Sequence, residues 1–148
     1  VVVRDWQMIE KLTHTNERAK KLYDKLLPGP LTLVLSKRRI VPDVLTASLP
    51  TLGVRIPDSL ITQSLSNLLP FPYTTPSANR SGGKTPYSIE ELKEELDLEK
   101  IDLVLDAGLL PKNPPSTIID LSNNQVKIIR LGLINRILLE GALNAKLV

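Results

Sequence analysis

Cysteine is absent from the 148 residues, and histidine occurs once, as His14. Without cysteine there is no disulfide, no thiolate metal site and no thiol nucleophile. One histidine does not suffice for a histidine-based triad or a histidine metal cluster. His14 lies between two threonines ahead of a helical run, and is expected to be a solvated loop residue. Long hydrophobic runs are missing too: none approaches the roughly 20 apolar residues that a membrane-crossing helix needs. Nothing resembles a signal peptide, and no membrane partner is expected. Charge of one sign is scarce, with a net charge of +3. Such a balance permits anionic ligands without demanding nucleic acid. Hydrophobic content of 42% and charged content of 24% are ordinary for a globular protein, and the length suits one domain.

What is present is concentrated between Thr74 and Thr85, which reads Thr-Thr-Pro-Ser-Ala-Asn-Arg-Ser-Gly-Gly-Lys-Thr. Ser77, Ser81 and Thr85 supply hydroxyls, Asn79 an amide, and Arg80 and Lys84 positive charge, around a Gly-Gly pair. Pro76 and Pro86 bracket the run. The segment has almost nothing apolar to bury. Glycines there let backbone N–H groups turn toward a ligand. Donors and cations without a carboxylate suit a phosphate or another anion; a plain solvated loop is the competing reading.

Around this loop, helices and strands alternate. Trp6 to Leu12 reads as a short helix, and Asn16 to Leu27 as a stronger one ending at Pro28-Gly29-Pro30. Leu31 to Leu35 reads as a buried strand, followed by the basic Lys37-Arg38-Arg39, and Leu52 to Ile56 as another strand. Ser59 to Leu69 is an amphipathic helix, and Ser88 with Glu91 forms a capping box for a helix through about Leu96. Ile101 to Leu105 looks strand-like. Thr117 to Leu121 and Gln125 to Leu131 flank Ser122-Asn123-Asn124 as a hairpin, and Ile134 to Leu147 closes the chain as a helix. Together these predict a mixed sheet covered by helices, with ligand residues gathered at strand ends.

Six blocks carry a resemblance. Pro28-Gly29-Pro30-Leu31-Thr32-Leu33-Val34-Leu35, Gly53-Val54-Arg55-Ile56-Pro57 and Pro76-Ser77-Ala78-Asn79-Arg80-Ser81-Gly82 are similar to signature blocks of the YrdC family. So are Asp106-Ala107-Gly108, Ser116-Thr117-Ile118-Ile119-Asp120 and Ile129-Arg130-Leu131-Gly132, all in family order. The resemblance implies an α+β fold of three layers, α/β/α, around a twisted mixed sheet with a positively charged concave face. It implies one YrdC-like domain over residues 1–148. It also implies that the family's N-terminal strands and Lys-x-Arg block would precede Val1-Val2-Val3-Arg4-Asp5-Trp6, with a histidine often standing near the position of Val2.

For function, the resemblance implies a threonylcarbamoyl-AMP synthase. Its substrates would be L-threonine, bicarbonate and ATP, with Mg²⁺ on the phosphates and pyrophosphate released. The intermediate would pass to the tRNA threonylcarbamoyl-transfer machinery in the cytoplasm. Carried over by position, Thr51, Ser77, Asn79, Thr85 and Arg130 are expected to bind ATP. Arg55, Thr75 and Ser116 are expected to bind threonine. No covalent catalytic residue is implied, because positioning and charge neutralisation carry most nucleotidyl transfer. Two alternatives stand beside this reading: a non-catalytic nucleotide- or RNA-binding module, and a relative of hydrogenase-maturation carbamoyltransferases. The latter are longer chains with zinc-finger-like cysteines, and this one has no cysteine.

Overall fold

The computed structural model describes residues 1–147, and its first helix, α1 (Trp6–Leu12), begins where the sequence supplies a cap. The Asp5 carboxylate accepts from Met8 N at 2.8 Å, so one of the otherwise orphaned N–H groups is satisfied. Next come a two-residue strand, β1 (Thr13–His14), and helix α2 (Glu17–Leu26). Asn16 caps α2 by accepting from Ala19 N at 3.0 Å, and its Nδ2 donates to Leu121 O at 2.9 Å. One side chain thus starts the helix and ties it to the distant strand region.

Strand β2 (Leu31–Lys37) leads through one helical turn, α3 (Asp43–Thr46), into β3 (Thr51–Arg55) and α4 (Leu60–Leu68). Helix α5 (Ile89–Glu95) follows, then β4 (Thr117–Asp120), β5 (Lys127–Arg130) and α6 (Arg136–Leu143). Strand β2 is central. It pairs antiparallel with β3 and parallel with β4, β4 pairs antiparallel with β5, and β1 pairs with the far end of β2. The sheet is mixed, and its last hairpin turns at Asn123-Asn124, both as the sequence predicts.

Alternation along β2 decides which face is core. Leu31, Leu33 and Leu35 are fully buried, each contributing on the order of 2 kcal/mol by removal from water. They pack in one cluster with Ile9 of α1, Ala19 and Leu22 of α2, Val54 of β3, Ile119 of β4 and Leu139 of α6. Thr32, Val34 and Ser36 point to the opposite face, which is half-buried. The run that reads as a wholly buried strand is therefore one-sided.

The chain divides into two compact units: residues 1–74 with 114–147, and residues 75–113. The sheet belongs to the first. The second holds α5, a short 3₁₀ turn at Leu98–Lys100 and extended or turning chain. The strand expected over Ile101–Leu105 is not formed. No backbone ladder pairs these residues among those described, and a strand without a neighbour leaves its N–H and C=O groups to water. Leu103 and Leu105 are correspondingly exposed. His14 is solvated as expected, but in a strand and not a loop. The capping box is also altered: Glu91 N donates to Ser88 Oγ at 3.2 Å, while the Glu91 carboxylate reaches back to Tyr87 N at 2.7 Å. Among the described residues no helix is long and apolar enough to cross a membrane.

Candidate functional site

Strand register assembles polar residues on the open face of the sheet. Arg55 of β3 pairs with Thr32 of β2, Thr32 with Ile118 of β4, and Ile118 with Arg130 of β5. Directly paired residues share a face, so Arg55, Thr32, Ile118 and Arg130 form one row across four strands. Ser116 stands two residues before Ile118 and joins that face. Its hydroxyl lies 3.3 Å from Thr32 Oγ1. The Arg130 guanidinium donates to the Ser116 carbonyl from Nε at 3.1 Å and Nη2 at 2.9 Å, and Nη2 reaches Ser116 Oγ at 3.3 Å.

This arrangement is held from beneath. Thr117 is fully buried; its Oγ1 donates to Ile134 O at 2.6 Å and accepts from Gly132 N at 2.9 Å. The backbones of Gly132 and Pro115–Ser116 approach so closely that a Cβ on Gly132 would lie 2.7 Å from the Ser116 carbonyl carbon. Only glycine fits there, which gives the Arg-Leu-Gly block a physical reason.

Thr51 opens β3 and Arg55 closes it. They share the open face four residues apart, about 13 Å along the strand. Arg55 is half-buried, and its backbone is fixed on both sides: its N donates to Val1 O at 3.0 Å and its O accepts from Val3 N at 3.1 Å. The neighbouring Val1 N donates to Gly53 O at 2.7 Å.

The other expected residues, Thr75, Ser77, Asn79 and Thr85, lie in the second unit. Ser77 and Thr85 are exposed and Asn79 is half-buried. Asn79 Nδ2 donates to Arg80 O at 2.7 Å and Gly83 O at 3.2 Å, closing the loop on itself. Its Oδ1 is buried and has no protein partner. The N–H groups of Arg80 and Lys84 turn to the Glu95 carboxylate at 3.1 and 3.0 Å, and Gly83 N turns to Arg80 O at 2.8 Å. Of the N–H groups around the glycine pair that were expected to turn toward a ligand, those of Arg80 and Lys84 turn to the Glu95 carboxylate instead.

Two contributors escaped the sequence reading. Thr32 sits inside a block read for its apolar residues, and its signal was the alternation of the strand. Glu95 lies fifteen residues from Arg80 and had no local signal.

A family model for Sua5, YciO and YrdC proteins, described as telomere recombination, matches residues 1–132. A Methanocaldococcus jannaschii protein named "Putative threonylcarbamoyl-AMP synthase" is 42% identical over 134 residues, covering 90% of this chain and 62% of its own length. Sua5 of Pyrococcus abyssi, solved with L-threonine, superposes with a TM-score of 0.89 at 33% identity, over 99% of this chain and 43% of that one. Escherichia coli YciO superposes with a TM-score of 0.77 at 29% identity, over 90% of this chain and 65% of its own. The chain therefore spans less than two thirds of the length of each of these relatives.

Proposed function

The chain belongs to the Sua5/YciO/YrdC family, and on that premise we propose that it takes part in making threonylcarbamoyl-AMP from L-threonine, bicarbonate and ATP. The observation that carries this reading is the row Arg55–Thr32–Ile118–Arg130 with Ser116 bonded into it. It puts two guanidinium groups and two hydroxyls on one face of the sheet.

Arg55 suits the threonine carboxylate, because a guanidinium fork matches a carboxylate bidentately. Ser116 and, in the second unit, Thr75 are the hydroxyls assigned to threonine. Arg130 and Thr51 are assigned to the nucleotide, with Arg130 on phosphate. Ser77, Thr85 and Asn79 are the nucleotide residues of the second unit. The buried Asn79 Oδ1 is an acceptor that a ligand donor would satisfy.

The chemistry asks for little beyond this. Bicarbonate carboxylates the threonine amine with loss of water. A carbamate oxygen then attacks the α-phosphorus and pyrophosphate leaves. Orientation and neutralisation of phosphate charge supply most of the acceleration in such transfers. Among the described residues no group of three histidine or acidic side chains could hold a metal. Magnesium is assigned to the nucleotide phosphates, as their counter-ion. The product, a reactive mixed anhydride, would serve the threonylcarbamoyl modification of tRNA in the cytoplasm.

Pyrophosphate release by the purified chain with ATP, Mg²⁺ and bicarbonate tests the proposal. Release that depends on L-threonine supports it. ATP binding without threonine-dependent release, from folded protein, would turn the reading to a nucleotide-binding module.

A further inference from the structure

Glu95 is the last residue of α5, where its charge is unfavourable, because a helix C-terminus already carries partial negative charge. Its carboxylate serves another element. Oε2 accepts from Arg80 N at 3.1 Å and Oε1 from Lys84 N at 3.0 Å, so the two oxygens span both ends of the Arg80–Lys84 turn. The Glu95 backbone carbonyl accepts from Arg80 Nε at 2.9 Å, which turns that guanidinium toward the helix end. Gly83 leaves room for the carboxylate. A Cβ there would lie 2.9 Å from Glu95 Cδ and 3.0 Å from Arg80 O. From the other side Asn79 Nδ2 holds the carbonyls of Arg80 and Gly83.

The loop is therefore clamped twice, by an amide on its carbonyls and by a carboxylate on its N–H groups. We propose that Glu95 is a positioning residue for the nucleotide side of the site. By occupying the N–H groups of Arg80 and Lys84, it fixes the turn that presents Ser77 and Thr85. The role rests on the reading of this loop as nucleotide-binding. It has a consequence of its own: those two N–H groups are not phosphate donors. With those two engaged, the phosphate donors left to the loop are its hydroxyls, its cationic side chains and its remaining N–H groups. Charge-assisted bonds of this kind are strong enough to order an exposed loop.

The test compares the unsubstituted chain with Glu95→Ala and Glu95→Gln. Calorimetry gives the ATP and L-threonine affinities, and hydrogen exchange follows the Arg80 and Lys84 amides. Glu95→Ala is expected to weaken ATP about tenfold. It should speed exchange at both amides and leave L-threonine affinity unchanged. Glu95→Gln, which keeps one acceptor oxygen, is expected to fall between. ATP affinity unchanged in Glu95→Ala, with the unsubstituted chain binding ATP, would overturn the positioning role. No ATP binding by the unsubstituted chain would overturn the nucleotide reading and the role together. That outcome is distinct, because faster amide exchange in Glu95→Ala would still register the clamp.

Discussion

Arg130 and Ser116 are joined by a guanidinium that straddles one residue, with Nη2 at 2.9 Å from its carbonyl and 3.3 Å from its hydroxyl. The two were assigned to different substrates, Arg130 to nucleotide phosphate and Ser116 to threonine. Their direct bond means that a phosphate drawing Arg130 away changes the hydrogen bonding of Ser116 as well. The two halves of the proposed site are thus in contact within the sheet.

Arg130→Ala is expected to weaken ATP binding by about 2 kcal/mol, or about thirtyfold in Kd, through loss of a charge-assisted phosphate contact. Ser77→Ala should cost less, about 1 kcal/mol, for one hydroxyl. Titration calorimetry with ATP checks both. Unchanged affinity in the pair would sink the phosphate assignment.

Arg55→Lys keeps the charge and loses the planar fork. L-threonine affinity is expected to fall about tenfold, because an ammonium cannot bind a carboxylate through two parallel N–H groups. ATP affinity should hold. A lysine variant that binds threonine as well as the parent would show that Arg55 acts as a point charge or not at all.

Gly132→Ala places a methyl 2.7 Å from the Ser116 carbonyl carbon, against backbone that Thr117 already pins. Overpacking of this kind costs about 1–3 kcal/mol. Urea unfolding should show the loss, and L-threonine titration should show weakened binding, since Ser116 must move.

Asp5→Ala removes the cap of α1 and should cost about 1 kcal/mol near neutral pH. The Asp5 carboxyl is held below its ordinary pKa, first by the hydrogen bond from Arg4 and also by that from Met8 N. A lowered folded-state pKa means stability that is present above the ordinary carboxylate range and is lost as pH falls through the lowered value. The difference between parent and variant in urea should therefore shrink in strong acid. A difference that stays constant from pH 7 into strong acid would show that the charge of Asp5 is irrelevant to the cap.

Much of the fold was legible because its signals are local. Ser88 announces a helix start by offering an oxygen to an N–H three residues on, and it does so here; Asp5 and Asn16 cap α1 and α2 in the same way, at starts the sequence shows without naming the cap. Pro28-Gly29-Pro30 stops α2, and Asn123-Asn124 turns the last hairpin. The strand expected at Ile101–Leu105 failed for the complementary reason. Apolar β-branched residues show that a segment could be a strand, but a partner decides whether it is.

By itself the sequence determined the chemistry available: no thiol, one histidine, and hydroxyls, arginines and an amide at strand ends and in one polar loop. That only one face of β2 is core was settled by the packing, which buries Leu31, Leu33 and Leu35 and leaves Thr32, Val34 and Ser36 half-buried. Tertiary structure alone decided that Arg55, Thr32, Ile118 and Arg130 stand in a row, because that depends on register between paired residues up to 86 positions apart, as for Thr32 and Ile118. It alone put Arg130 on Ser116 and Glu95 on the Arg80–Lys84 turn. Those bonds join residues whose own neighbours in the chain give no reason to meet, and only the packed backbone brings donor and acceptor within reach.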